Sequence, residues 1–124
     1  MAKHLQTGLL GENAASEWLE GKGWRIVERN WRGGRGEIDI IAWASERLLV
    51  FVEVKTRSGQ GAGFGGPEEA ISAAKQALLL RSAGLYMETI SYEWEIRFDV
   101  ITIIIKGDKV LEIKHIEDAF YPFS

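Results

Sequence analysis

Apolar residues recur along this chain in two rhythms. From Thr7 to Lys22 the period is helical: Leu10, Ala14 and Trp18 lie four apart, with Ala15 and Leu19 beside them on one stripe. Thr7 is the expected N-cap and Gly21-Lys22-Gly23 the stop. Gly8 and Gly11 leave this helix free to approach another element closely. A strand follows from Trp24 to Trp31, strongest at Trp24-Arg25-Ile26-Val27, and Arg32-Gly33-Gly34-Arg35-Gly36 forms a turn. Next come two runs rich in Ile, Val and Phe, Gly36 to Trp43 and Leu48 to Arg57, joined by Ala44-Ser45-Glu46-Arg47, which read as a β-hairpin. Helical spacing returns from Pro67 to about Met87, with Ile71, Ala74, Leu78 and Leu85 as the main stripe. Trp94 to Ile105 and Val110 to Ile116 are strands joined at Gly107-Asp108. Trp94, Ile96, Phe98, Val100 and Ile104 share a face of the first of these, and Asp99 lies on the other face beside Ile101 and Ile103. The order is α-β-β-β-α-β-β, an α/β arrangement in one domain covering residues 1–124, without repeat or linker.

The hairpin carries charges inside its apolar runs. Side chains alternate along a strand, so Glu37, Asp39 and Ile41 are expected on one face of its first strand. Phe51, Glu53 and Lys55 share one face of the second, and Val50, Val52 and Val54 take the other. The same pattern describes a solvated face whose charges pair across the hairpin. The acids, however, sit within the apolar runs and not at their ends, and pairing of the strands lets Asp39, Glu53 and Lys55 converge. Two carboxylates a few ångströms apart repel, and a bound cation is a natural way to keep both ionised. Glu12, on the first helix, falls at the border of the apolar stripe, where it can point toward the sheet's active edge or into water, and spacing alone favours water slightly.

Composition narrows the class. A chain of 124 residues with 46% hydrophobic and 27% charged residues suits one globular domain with a modest core. The absence of cysteine excludes disulfides, thiolate metal sites and thiol catalysis. The start Met1-Ala2-Lys3-His4-Leu5 lacks the apolar run of a signal peptide, and no stretch approaches the roughly 20 apolar residues of a membrane span. The expectation is a cytoplasmic protein with no membrane partner. Net charge is −3 and the pI about 5.4, which argues against coating nucleic acid by bulk charge. Lys22, Arg25, Arg29, Arg32 and Arg35 nevertheless fall in one short stretch, leaving room for a locally basic surface on an acidic protein.

After the hairpin comes Ser58-Gly59-Gln60-Gly61-Ala62-Gly63-Phe64-Gly65-Gly66, expected to be a weakly ordered loop. Its Gly61-x-Gly63-x-x-Gly66 resembles a dinucleotide-binding fingerprint. The glycines do not follow the strand directly, and that strand carries Glu53 and Lys55, unlike the fully buried first strand of a Rossmann unit.

The element order and the residues Glu12, Asp39 and Glu53-Val54-Lys55 resemble the restriction-endonuclease-like, or PD-(D/E)xK, nucleases. In that motif an Asp on one strand precedes a Glu-x-Lys on the next, and a helical Glu often precedes both. More closely, Gly11-Glu12, Arg29-Asn30-Trp31-Arg32, Gly36-Glu37-Ile38-Asp39-Ile40-Ile41, Phe51 to Arg57, Pro67-Glu68-Glu69-Ala70, Lys75-Gln76 and Arg97-Phe98-Asp99-Val100 resemble the YraN-like bacterial family of predicted endonucleases, itself distantly similar to archaeal Holliday-junction resolvases. Ile38 stands where the wider motif has proline. The resemblance implies a mixed β-sheet flanked by helices and a Mg²⁺- or Mn²⁺-dependent nuclease acting on DNA, including branched or structured DNA. It implies Asp39, Glu53, the Val54 carbonyl and Glu12 as metal ligands, with Lys55 positioning the attacking water. Glu37, Lys75 and Gln76 would support these groups, Arg57 and Arg35 would meet phosphates, and a homodimer would suit cleavage of two strands. A non-catalytic nucleic-acid-binding module that keeps the fold is the rival reading, with a dinucleotide-binding enzyme behind it.

Overall fold

The computed structural model describes residues 3–58 and 71–120, with side chains from residue 7 onward. Its elements are α1 (Lys3–Gly21), β1 (Arg25–Gly33), β2 (Gly36–Ser45), β3 (Leu48–Ser58), α2 (Ala73–Thr89), β4 (Glu95–Lys106) and β5 (Lys109–Ile116). The order is the α-β-β-β-α-β-β expected. The strands form one mixed sheet in the order β1-β2-β3-β4-β5. Neighbours are antiparallel except β3 and β4, which run parallel from Leu48↔Glu95 to Ser58↔Ile105. A parallel pair needs a crossover, and α2 lies on that connection. Among the described residues no helix is long and apolar enough to cross a membrane.

The two faces of the sheet bury separate clusters. Ile41, Leu49, Phe51, Phe98 and Val100 pack with Leu79, Ala83 and Tyr86 of α2. Ile40, Ala42, Val50, Val52, Ile101 and Ile103 pack with Ala15 and Leu19 of α1. Each fully buried Ile, Leu, Val or Phe side chain among these contributes about 1.5–3 kcal/mol relative to exposure. The central strands β2, β3 and β4 are therefore apolar on both faces, which is why their sequences read as nearly continuous Ile/Val/Phe runs.

Both helices are rotated from the stripes expected of them. In α1 the buried row is Gly11, Ala15 and Leu19, while Trp18 stays 40% exposed with the Lys22 ammonium 5.3 Å from its ring centroid. Small residues take the contact row because they let the helix approach closely: a Cβ on Gly11 would collide with the Thr56 hydroxyl on β3. Thr7 lies inside α1 and is not its cap. The helix does stop at the expected glycines, where Trp24 N–H donates to the Leu19 carbonyl at 3.1 Å. In α2, Ala74 and Leu78 are exposed and the buried residues are Leu79, Ser82, Ala83 and Tyr86. A polar residue holds the centre of this contact. The Ser82 hydroxyl donates to the Gly33 carbonyl at 2.8 Å, and a Cβ on Gly36 would strike the Ser82 oxygen. The helix is capped by Ser72, not started at Pro67, and Pro67 to Ala70 lie outside the described residues. Trp24 and Trp94 sit just before their strands, and Trp94 is 67% exposed.

Candidate functional site

The last ladder pair of β2 and β3 toward the open end of the hairpin is Ile40↔Val52, so Asp39 and Glu53 come just past it. Alternation fails at this point. Ile38 packs on the α2 side of the sheet, whereas Ile40, two residues on, packs on the α1 side. The expectation that Glu37, Asp39 and Ile41 share one regular face is corrected accordingly. With its strand irregular here, Asp39 turns a carboxylate oxygen onto the backbone of β3: Val54 N–H donates to Asp39 Oδ2 at 2.8 Å.

Glu53 faces the same space. It lies on the α2 side with Phe51, and its Oε2 is 3.6 Å from Lys75 Nζ, beyond hydrogen-bond reach. That oxygen is buried and has no hydrogen-bond partner among the described residues. The Asp39 carboxyl is pushed up to about 7 from an ordinary 3.8. Burial is the largest cause and the Glu53 charge the next; the Val54 N–H pulls the other way, and Glu53 hydrogen bonding and the Glu12 charge add to the rise. Two facing carboxyl groups, one raised by burial and by the other's charge and one with a buried oxygen that no hydrogen bond satisfies among the described residues, have the electrostatics of a cation site.

Glu12 is turned toward the sheet, not to water. Its side chain is 19% exposed, and its Oε1 accepts from Asn30 Nδ2 at 2.9 Å and lies 3.4 Å from an Arg29 guanidinium nitrogen. The same Arg29 nitrogen donates to Asn13 Oδ1 at 2.9 Å. The adjacent Gly11–Thr56 contact fixes this turn of α1 against β3. Asn30 and Thr56 carry no candidate role from sequence. The available signal was an Asn in mid-strand, where that residue is depleted.

The remaining sequence candidates divide into those brought to the site and those held apart. Lys55 is part-buried, one alternation beyond Glu53 on an uninterrupted β3–β4 ladder, so it lies on the Glu53 side of the sheet. Lys75 reaches Glu53 from the first turn of α2, where Ser72 caps its N–H at 3.2 Å. Gln76 donates instead to the Ile71 carbonyl at 2.8 Å, bracing the segment that leads into α2. Glu37 is paired with Arg32 at 3.7 Å across the β1–β2 ladder. Arg35 is exposed in the β1–β2 turn, and Arg57 is exposed near the end of β3. The glycine-rich segment with Gly61, Gly63, Phe64 and Gly66 lies outside the described residues.

A second polar group lies away from these residues. Asp99, His115 and Glu117 offer ligand atoms all within 4.8 Å of one another, a grouping that could hold a metal ion. Its interior is already occupied by a cation of the chain. Arg97 donates to both oxygens of the fully buried Asp99 at 2.8 Å and lies 3.5 Å from Glu117. His115 Nε2 and the Asp118 N–H complete the Asp99 shell at 2.8 and 3.0 Å, and Lys22 Nζ sits 2.8 Å from His115 Nδ1. Burial works to raise the Asp99 carboxyl, but the bonds to His115 and Arg97 outweigh it and leave it below its ordinary value. This is the chemistry of a satisfied ion-pair network that pins β4, β5 and the end of α1 together.

The Uncharacterised protein family UPF0102 matches residues 11–103 of the chain, a span that holds Glu12, Asn30, Asp39, Glu53, Lys55 and Lys75 but not His115 or Glu117. A UPF0102 protein of Bacteroides thetaiotaomicron is 46% identical over 122 residues, covering 98% of each chain. UPF0102 protein FP2501 of Flavobacterium psychrophilum is 44% identical over 123 residues, covering 99% of this chain and all of its own. A UPF0102 protein of Rhodococcus opacus is 42% identical over 121 residues, covering 97% of this chain and all of its own.

Proposed function

The chain belongs to UPF0102, the YraN-like family, and we propose that it is a metal-dependent nuclease that hydrolyses phosphodiester bonds in DNA, with branched or structured DNA as the substrate class. One observation carries this reading: the buried Glu53 Oε2, which has an ion-pair neighbour in Lys75 but no hydrogen-bond partner among the described residues, beside an Asp39 carboxyl pushed up to about 7. A solvated charge face would leave neither feature.

The donor set fits a hard divalent cation, being two carboxylates with a third, Glu12, held nearby and no nitrogen or sulfur ligand. Asp39 and Glu53 would hold it, with Glu12 and the Val54 carbonyl completing the protein's share. Bound Mg²⁺ or Mn²⁺ supplies a polarised phosphate and an acidified water. The chain's own groups do the rest. Val54 N–H fixes one oxygen of the Asp39 carboxylate. Lys55 would orient the attacking water and stabilise charge on the phosphate. Lys75, already drawn to Glu53, would be free to meet a phosphate oxygen once Glu53 is neutralised by a metal. Arg35 and Arg57, both exposed, would contact the backbone of the strand being cut. A purely binding module has no use for facing carboxylates where phosphate must approach.

The test is a cleavage panel of single-stranded, duplex, flapped and four-way DNA with Mg²⁺ and with Mn²⁺. Metal-dependent cleavage of at least one substrate, lost with a chelator, is expected. No cleavage of any substrate, together with no binding of Mn²⁺, overturns the reading.

A further inference from the structure

Asn30 interrupts β1 with a left-handed backbone, φ 53°, in the middle of an otherwise extended strand. Asparagine tolerates this conformation better than most residues but pays for it compared with glycine. The ladder pairs on either side are Arg29↔Ile40 and Trp31↔Ile38, so Asn30 stands directly across from Asp39. The irregularity therefore falls on both strands at once, and its two members are Asn30 and a proposed metal ligand. Such a distortion would simply weaken the sheet unless the side chain had a task, and its task is visible: Nδ2 donates to Glu12 Oε1 at 2.9 Å.

The type of donor matters. Arg29 also approaches Glu12, but at 3.4 Å, and it makes its shorter bond, 2.9 Å, to Asn13. An amide orients a carboxylate without adding positive charge, so the closer contact to Glu12 is a neutral one and the Arg29 guanidinium stands farther off at 3.4 Å. A guanidinium in the same place would compete with the metal. Resting on the nuclease reading, we propose that Asn30 is a positioning residue, which uses its strained backbone to aim a neutral amide at Glu12 and so holds that carboxylate beside Asp39 for metal binding.

Asn30→Gly separates this role from a structural one. Glycine adopts φ 53° freely, so the thermal midpoint is expected to stay unchanged or to rise. Without the amide, Glu12 loses its anchor, and Mn²⁺ affinity, measured by electron paramagnetic resonance of free Mn²⁺, is expected to fall about tenfold or more. In a Glu12→Gln background the same substitution should change Mn²⁺ affinity less than about twofold, because residues acting through one group are not additive. Asn30→Asp, which also tolerates this backbone but sets a like charge against Glu12, serves as the second variant and should lose at least as much affinity. Unchanged Mn²⁺ affinity in both variants overturns the assignment, as does a loss that persists undiminished in the Glu12→Gln background. If the unmodified protein itself binds no Mn²⁺ and cuts no DNA, the nuclease reading falls and this inference falls with it; if it cuts DNA but binds no Mn²⁺, this inference alone falls. A protein that binds Mn²⁺ but ignores the Asn30 substitutions sinks the inference alone.

Discussion

Val54 N–H donates to Asp39 Oδ2 at 2.8 Å, joining β2 to β3 just beyond the point where their regular ladder stops. The bond explains why the proposed ligands come from this end of the hairpin. Here the strands no longer use all their backbone groups on each other, and a side chain can take a main-chain donor. Asp39 is thereby fixed by the strand that carries Glu53.

Substitutions at this pair separate cleavage from binding. Asp39→Asn and Lys55→Ala should each lower metal-dependent cleavage by roughly a hundredfold or more, the scale of losing an electrostatic or proton-transfer contribution. Without metal, Asp39→Asn should bind DNA as well as the unmodified protein or better, since a negative charge near phosphate is gone. Lys55→Ala should bind more weakly and with a shallower salt slope. Cleavage by either folded variant at the unmodified rate would falsify the catalytic assignment.

The elevated Asp39 carboxyl gives a stability dependence on pH with a definite sign. In the folded chain it keeps its proton to about pH 7, whereas the unfolded chain releases it near 3.8. Its contribution to stability is therefore full below the lower value and is lost as pH rises to the upper one. At pH 8 without metal, Asp39→Asn should melt higher than the unmodified protein by roughly 5 °C, the scale of about 1 kcal/mol for a domain of this size. At pH 4 the two should differ little. Added Mn²⁺ should raise the midpoint of the unmodified protein at pH 8 and leave Asp39→Asn nearly unmoved. Calorimetric scans at both pH values check all of this.

Gly11 should not tolerate a side chain. Gly11→Ala places a methyl against Thr56 and should cost about 1–3 kcal/mol by overpacking. Thr56→Ala removes the hydroxyl and methyl that the new Cβ would strike, so the double variant should recover most of the loss. A denaturation midpoint for Gly11→Ala equal to that of the unmodified chain would mean that α1 does not rest on β3 in this way.

The buried network around Asp99 should behave as structure. Arg97→Ala leaves Asp99 without its bidentate partner and should destabilise by about 3–5 kcal/mol. Zn²⁺ should not restore the thermal midpoint of that variant. Full recovery with Zn²⁺ would show instead that Asp99, His115 and Glu117 hold a metal once the guanidinium is gone.

The strand sequence made much of this legible. Runs such as Leu48-Leu49-Val50-Phe51-Val52 fix strand, face and burial together, because both sides of β3 are covered. Glu53 and Lys55 were readable as sharing a side because alternation on β3 is unbroken, whereas Asp39 meets Glu53 through an irregularity of β2 that the sequence pattern does not show. The helices misled by one row. Their contact rows are built on Gly11 and Ser82, residues with little or no apolar weight, so an apolar period points beside the true contact. Glu12 misled for the same reason, since it was placed relative to the wrong row. Asn30 was hidden because its role depends on a left-handed backbone, which strand patterns do not reveal.

The parallel pairing of β3 with β4 governs when the site can mature as well as where it lies. Glu12, Asp39, Glu53 and Val54 all precede the end of β3, so the proposed ligands are synthesised before α2 and β4 exist. Until β4 arrives, Val50 to Val54 form an open strand edge, and the cover that raises the Asp39 carboxyl is incomplete. The pairing closes a contact between distant parts of the chain, a slow step in folding. The nascent protein thus carries its acids early, and the proposed cation site would form late, only when the C-terminal half has docked.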